Sequence, residues 1–259
     1  MNKVTAPSLS EMKARGEKIS CLTAYDYMGG KLVDEAGIDV VLVGDSLGRV
    51  VLGFDNELPV TMDDMVRHAA AVARGVERAL VVVDMPYLSY QVSEDEAIRN
   101  AGRLVKEGGA EAVKLEGAHF VDTISKLVEI GIPVFGHVGL TPQSVHAMGG
   151  MRMQGKDPGN AERIKHEAAL LQDAGVCAIV LESIPADLAK AITESLTIPT
   201  IGIGAGSHCD GQVLVVHDIL NMYDRLKPSY VKQYADIRQA TLDAIKAYNA
   251  DVKERRFPC

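Results

Sequence analysis

ALVVVD (79–84) is apolar for five residues and then ends on a carboxylate. A strand buried on both faces, as in a parallel sheet, reads this way. Seven further stretches repeat the pattern: KISCLTA (18–24), DVVLVG (39–44), AEAVKLE (110–116), IPVFGH (132–137), VCAIVLE (176–182), IPTIGIG (198–204) and QVLVVHD (212–218). Helical patterns lie between them. Thr61-Met-Asp-Asp64 opens one with a cap-like hydroxyl and early carboxylates, and Met62, Met65, Val66, Ala69, Val72, Ala73 and Val76 form its apolar stripe. Ser93-Glu-Asp-Glu96 reads as a capping box, and Gly108-Gly109 ends that helix. Residues 121–130, 160–174, 185–196 and 229–250 read as further helices, with a very short one near 207–211.

Eight strands with helical crossovers predict an α/β fold, a closed (β/α)8 TIM barrel. An open doubly wound sheet is the alternative, but no distinct dinucleotide fingerprint accompanies the repeating units. With 259 residues and 47% hydrophobic content, residues 1–259 are expected to form a single domain without a linker. Two connections are too long to be tight turns. Residues 46–60 contain Gly48, Gly53 and Pro59, and residues 138–159 contain five glycines and two prolines. Both follow strands, which places them at the catalytic face as lids.

Composition narrows the function classes. The net charge of −8 is spread along the chain without a basic stripe, which argues against nucleic acid as a partner. No apolar run reaches the length of a membrane span, and the opening MNKVTAPSLSEMKARGEK lacks the apolar core of a secretory signal. Cys21, Cys177, Cys209 and Cys259 fit neither a CxxC site nor a small disulfide scaffold. Reduced thiols and a cytoplasmic location are the expectation.

Barrel active sites gather at the carboxyl ends of strands. Those ends carry Asp45-Ser46, Asp84, Lys114 with Glu116, His137, Glu182 and His217-Asp218. One carboxylate at a strand end is as readily a helix cap as a functional group. Carboxylates at four strand ends would repel one another in one mouth, and a cation would relieve that. Asp45, Asp84 and Glu116 offer hard oxygens, which suit Mg2+; Mn2+ also fits, and His137 leaves zinc open. Lys114 and Glu116 are two apart and share a face, so Lys114 either neutralises an anionic substrate or pairs inside the mouth. Gly202-Ile-Gly-Ala-Gly206 is too weak a glycine pattern to mark a dinucleotide loop. His68 and His166 fall in helices and read as packing or surface residues.

LTAYDY (22–27), VLVGDSLG (41–48), LPVT (58–61), VKLEG (113–117), GHVGLTPQS (136–144), IPTIGIGAG (198–206) and DGQVLVVHD (210–218) together resemble the ketopantoate hydroxymethyltransferase family. The likeness runs from about residue 3 to about residue 257. It implies a barrel of the phosphoenolpyruvate mutase and isocitrate lyase kind. It also implies transfer of a hydroxymethyl group from 5,10-methylenetetrahydrofolate to 3-methyl-2-oxobutanoate through a metal-stabilised enolate, toward pantothenate. Carried over by position, the resemblance assigns metal binding to Asp45, Asp84 and Glu116, and substrate contacts to Asp45, Ser46, Asp84 and Lys114. It makes Glu182 the catalytic carboxylate. It further implies a cytoplasmic homo-oligomer, often a decamer. A lyase of the same barrel type, a Schiff-base aldolase using Lys114, and a catalytically dead barrel are the rival readings.

Overall fold

The computed structural model describes residues 2–225 and 228–258; Cys259, counted above among the thiols, lies outside them. The chain divides into two compact units, one up to Val213 and one from Leu214 onward. Strands β1 (Ile19–Thr23), β2 (Val40–Val43), β3 (Leu80–Asp84), β4 (Ala112–Lys114), β5 (Val134–Gly139), β6 (Ala178–Glu182), β7 (Thr200–Ile203) and β8 (Gly211–Leu214) form a closed barrel in sequence order. The neighbouring strands pair in parallel, and closure of the barrel rules out the open-sheet alternative. Closure is tight where the Ile19 amide donates to the Asp210 carbonyl at 3.0 Å. A Cβ on Gly211 would stand 2.4 Å from the Ile19 carbonyl oxygen, so that approach requires glycine.

Alternation along the strands fills the barrel. Ile19, Cys21, Val40, Leu42, Leu80, Val82, Ala112, Phe135, Ala178, Val180, Ile201 and Val213 belong to one buried cluster. Each strand supplies alternate residues, as a pleated strand must. Val4 and Leu9 join the same cluster from the chain's start. Two residues further along the same parity the side chains turn polar: Thr23, Asp84, Lys114, His137 and Glu182. The apolar filling thus becomes the floor of a polar mouth.

Helices α1 (Ala6–Ala14), α2 (Tyr27–Glu35), α3 (Leu47–Val50), α4 (Met62–Ala73), α5 (Glu94–Lys106), α6 (Val121–Glu129), α7 (Pro158–Asp173), α8 (Ala186–Ser195), α9 (Val216–Ile219) and α10 (Ile237–Lys253) accompany the strands, with 3-10 turns at Ala118–Phe120 and Pro142–Ser144. The Thr61 cap forms: its hydroxyl accepts from the Asp64 amide at 3.2 Å, and the Asp64 carboxylate accepts from the Thr61 amide at 3.1 Å. Met65, Ala69 and Val72 are the fully buried part of the α4 stripe. At Ser93 only the forward half of the expected box is present, the Glu96 amide donating to the Ser93 hydroxyl at 3.2 Å.

Three expectations fail. No helix occupies 207–211; residues 207–210 form a bend that leads into β8 at Gly211. The eighth strand stops at Leu214, so His217-Asp218 lie in α9 rather than at a strand end. The final helix starts at Ile237, later than 229, because the Asp236 carboxylate caps it by accepting from the Gln239 amide at 3.1 Å. Helix α2 is absent from the sequence reading, and it contains Gly29-Gly30. A Cβ on Gly30 would meet the Val72 carbonyl of α4 at 2.9 Å, so the glycine is there for helix contact. Cys21, Cys177 and Cys209 are free. Burial pushes the Cys21 thiol up and the Cys177 thiol up to about 12, which keeps both protonated and unreactive.

Candidate active site

Asp84, the last residue of β3, is the hub. One of its oxygens accepts from Lys114 Nζ at 2.7 Å, and the other accepts from the Asp45 amide at 3.1 Å. The side chains of Lys114 and Asp84 are only 6% and 5% exposed. Burial lowers the affinity of the Lys114 amine for its proton. Asp84, Glu116 and Asp45 more than offset that, and the amine stays charged. Asp45 sits in the turn after β2 and is itself buried. Burial, then the charges of Asp84 and Glu116, push its carboxyl well above the usual carboxylate range, against the pull of Lys114.

His137 joins the other half of the mouth. Its Nδ1 lies 3.5 Å from Glu116 Oε1 and its Nε2 lies 3.2 Å from Glu182 Oε2. Neither nitrogen is aligned for a hydrogen bond, so the two carboxylates flank the ring. Burial disfavours the imidazolium, but the contacts with Glu116 and Glu182 prevail and raise its pKa. Glu182 is the more open of the two acids, its side chain 15% exposed. Its carbonyl accepts from the Leu140 amide at 2.9 Å, and a Cβ on Gly139 would stand 2.3 Å from that same oxygen. Gly139 therefore lets the connection after β5 leave across the end of β6.

All the site residues expected from sequence, Asp45, Ser46, Asp84, Lys114, Glu116 and Glu182, stand at the ends of strands β2, β3, β4 and β6. Contacts join them into two groups. One is Asp45–Asp84–Lys114; the other is Glu116–His137–Glu182, and Gln143 bridges them. Ser46 is held by Tyr25, hydroxyl to hydroxyl at 2.8 Å.

Four participants were missed in the sequence. Tyr25 follows β1, and its position after LTA was the available signal. Gln143 lies within GHVGLTPQS, where nothing in its residue type announces a role. Arg49 and Glu57 occupy the connection after β2, with Arg49 Nε 2.5 Å from Glu57 Oε1. Glu57 is 1% exposed, and burial raises its carboxyl despite Arg49. This ion pair fastens the connection to itself, and a Cβ on Gly48 would strike Val60 at 2.6 Å.

The donor set suits a hard divalent cation. Asp45, Asp84 and Glu116 supply carboxylate oxygens, and the one buried lysine among them cannot balance all three. Among the described residues, no three His, Cys, Asp or Glu side chains form a ready-made metal cage. Mg2+ is commonly held by one or two carboxylates with waters and substrate oxygens completing its shell.

Comparison with known proteins gives the family. The sequence profile of ketopantoate hydroxymethyltransferase matches residues 3–259. The 3-methyl-2-oxobutanoate hydroxymethyltransferase of Carboxydothermus hydrogenoformans is 56% identical, over 100% of this chain and 94% of that protein. That of Geobacter sulfurreducens is 56% identical, over 100% of this chain and 97% of the other. Among solved structures, 2,3-dimethylmalate lyase, a PEP mutase/isocitrate lyase superfamily member, superposes with a TM-score of 0.63 at 16% identity, over 98% of this chain and 88% of that one. Phosphonopyruvate hydrolase in complex with oxalate and Mg++ gives 0.65 at 13% identity, over 98% and 88%. These two likenesses show the barrel fold. The match over nearly the whole length, together with relatives more than half identical, places the chain in the ketopantoate hydroxymethyltransferase family.

Proposed function

We propose that this chain transfers a hydroxymethyl group from 5,10-methylenetetrahydrofolate to 3-methyl-2-oxobutanoate, giving 2-dehydropantoate. The names of the relatives support the oxo acid as substrate. The observation that carries the chemistry is the division of the mouth. A charged lysine and two acids lie on one side, and a more open acid, Glu182, lies on the other beside His137.

A divalent ion, Mg2+ in this reading, would be held by Asp45, Asp84 and Glu116 and would supply Lewis-acid polarisation of the 2-oxo acid. Asp45, Ser46, Asp84 and Lys114 contact the substrate, with Lys114 balancing its carboxylate. Glu182 takes the proton from C3, and His137 beside it steadies the carboxylate before and after transfer. The C3 carbon then takes up the one-carbon unit, water supplies the hydroxyl oxygen, and tetrahydrofolate leaves. The connections after β2 and β5 cover the mouth and limit entry of other water.

Lys114 does not suit the Schiff-base alternative. A nucleophilic lysine needs a depressed pKa, whereas this amine is paired with Asp84 and held protonated. A single-domain chain, assembled as a decameric homo-oligomer in the cytoplasm, belongs to the same reading. Among the described residues no helix is long and apolar enough to cross a membrane. The test is ketopantoate formation from the two substrates, followed by NMR with Mg2+ and with EDTA. Turnover that needs both substrates and is lost in EDTA supports the proposal. Cleavage of substituted 2-oxo acids without synthesis, or borohydride trapping on Lys114, refutes it.

A further inference from the structure

Gln143 lies in the short 3-10 turn Pro142–Ser144, beyond β5, and is 6% exposed. Every hydrogen-bonding position of its side-chain amide is taken. Nε2 donates to Asp45 Oδ2 at 2.9 Å and to the Met85 carbonyl at 2.9 Å. Oε1 accepts from the Tyr90 hydroxyl at 2.7 Å and from Gln91 Nε2 at 3.2 Å. The Gln143 main-chain amide donates to Glu116 Oε2 at 3.0 Å. A flipped amide would set its oxygen against a carboxylate and a carbonyl, so the surroundings dictate one orientation. Tyr90 locks it further. Its hydroxyl donates to Gln143 Oε1 at 2.7 Å, a shorter contact than the 3.4 Å to the Glu116 carbonyl, while its oxygen accepts from the Glu116 amide at 3.1 Å.

Two carboxylates from different strands thus converge on one residue that cannot itself bind a cation through its occupied amide. Asp45 accepts through Oδ2 and Glu116 through Oε2, while Glu116 Oε1 stands 3.5 Å from His137 Nδ1. The geometry points to Gln143 as a positioning residue for the divalent cation: its side-chain amide fixes one oxygen of Asp45 and its main-chain amide fixes one oxygen of Glu116, which sets how the two acids are presented to the ion. This rests on the metal reading given above. A purely structural role predicts that loss of the amide costs stability alone. Positioning predicts that it costs metal affinity in protein that remains folded.

The probe is Mn2+, titrated into metal-stripped full-length protein and followed by the electron paramagnetic resonance signal of the free ion. Wild type is compared with Gln143→Leu and with Tyr90→Phe, and thermal unfolding in EDTA verifies that each is folded. Groups that orient metal ligands typically cost about 10–100-fold in affinity when removed. Gln143→Leu removes the side-chain donor to Asp45 and keeps the main-chain donor to Glu116, so it should fall in the lower part of that range, and Tyr90→Phe should weaken binding by a smaller factor because only the lock is lost. Folded Gln143→Leu with wild-type affinity overturns the positioning role and leaves the metal site standing. If Gln143→Leu does not fold, unchanged affinity in Tyr90→Phe overturns it instead. Wild type that binds no Mn2+ overturns both the positioning role and the metal reading.

Discussion

Replacing Lys114 by Met removes the one buried cation of the Asp45–Asp84–Glu116 cluster and keeps most of the side chain's bulk. Its Nζ lies 2.7 Å from Asp84 Oδ1, with both side chains almost entirely out of solvent. At an effective dielectric of about 20, one such contact is worth roughly 6 kcal/mol of gross attraction. Removing one partner of a buried pair typically costs about 3–5 kcal/mol, because the remaining charge is stranded. The lower part of that range applies, since losing Lys114 raises the Asp45 carboxyl further and so relieves part of the crowding of charge. For a chain of this size each kcal/mol moves the Tm by about 2–4 °C, so Lys114→Met should unfold roughly 6–15 °C early in EDTA. Circular dichroism during heating reads this directly. If the acids hold Mg2+, saturating the variant with it should restore part of the loss by mass action, about 2.7 kcal/mol at one hundred times the Kd. A variant within about 1 kcal/mol of wild type in EDTA would show that Lys114 does not carry the charge balance of the mouth.

Glu182→Gln should keep Mn2+ affinity while solvent exchange of the C3 hydrogen of 3-methyl-2-oxobutanoate, read by NMR without folate, slows by about 10²–10⁴-fold. If wild type exchanges and the variant matches it, Glu182 is not the base and His137 becomes the candidate. Asp45 titrates above its unfolded value, so folding favours its protonated form. That stabilisation is complete below about pH 4 and is lost as pH rises through the raised native value. In EDTA the Tm of Asp45→Asn minus that of wild type should therefore grow with rising pH, and a difference that stays flat or shrinks contradicts the burial argument. Sedimentation velocity should give a species much larger than one chain, and a monomer at micromolar concentration counts against the oligomer.

The barrel was legible because each buried strand is a short apolar run, and the parity that fills the interior continues into the polar mouth. Phe135 and His137, or Val180 and Glu182, are successive interior positions on one strand, so reading strand ends picked out acids that the fold gathers at one mouth. The reading failed where tertiary contact overrides local preference. Gly29-Gly30 lies inside a helix because α4 approaches too closely for a side chain. The apolar VLVV before His217 prolongs β8 on paper, yet the chain enters α9 after Val215.

The missed residues share one physical trait. Tyr25, Gln143, Arg49 and Glu57 act through contacts with positions remote in sequence or buried in a connection, where periodicity carries no information. Gln143 illustrates the consequence. It is 98 residues from Asp45 and 27 from Glu116, yet it holds both. A strand end can present a carboxylate, but it cannot choose which oxygen faces the mouth. That choice falls to donors arriving from another strand's connection, and two acids mispointed by a rotamer would leave a metal ion with the wrong lone pairs. The long connection after β5 therefore reaches into the site. Its first turn supplies the donors that orient acids from β2 and β4, and Gly139 lets the chain cross β6 to deliver them.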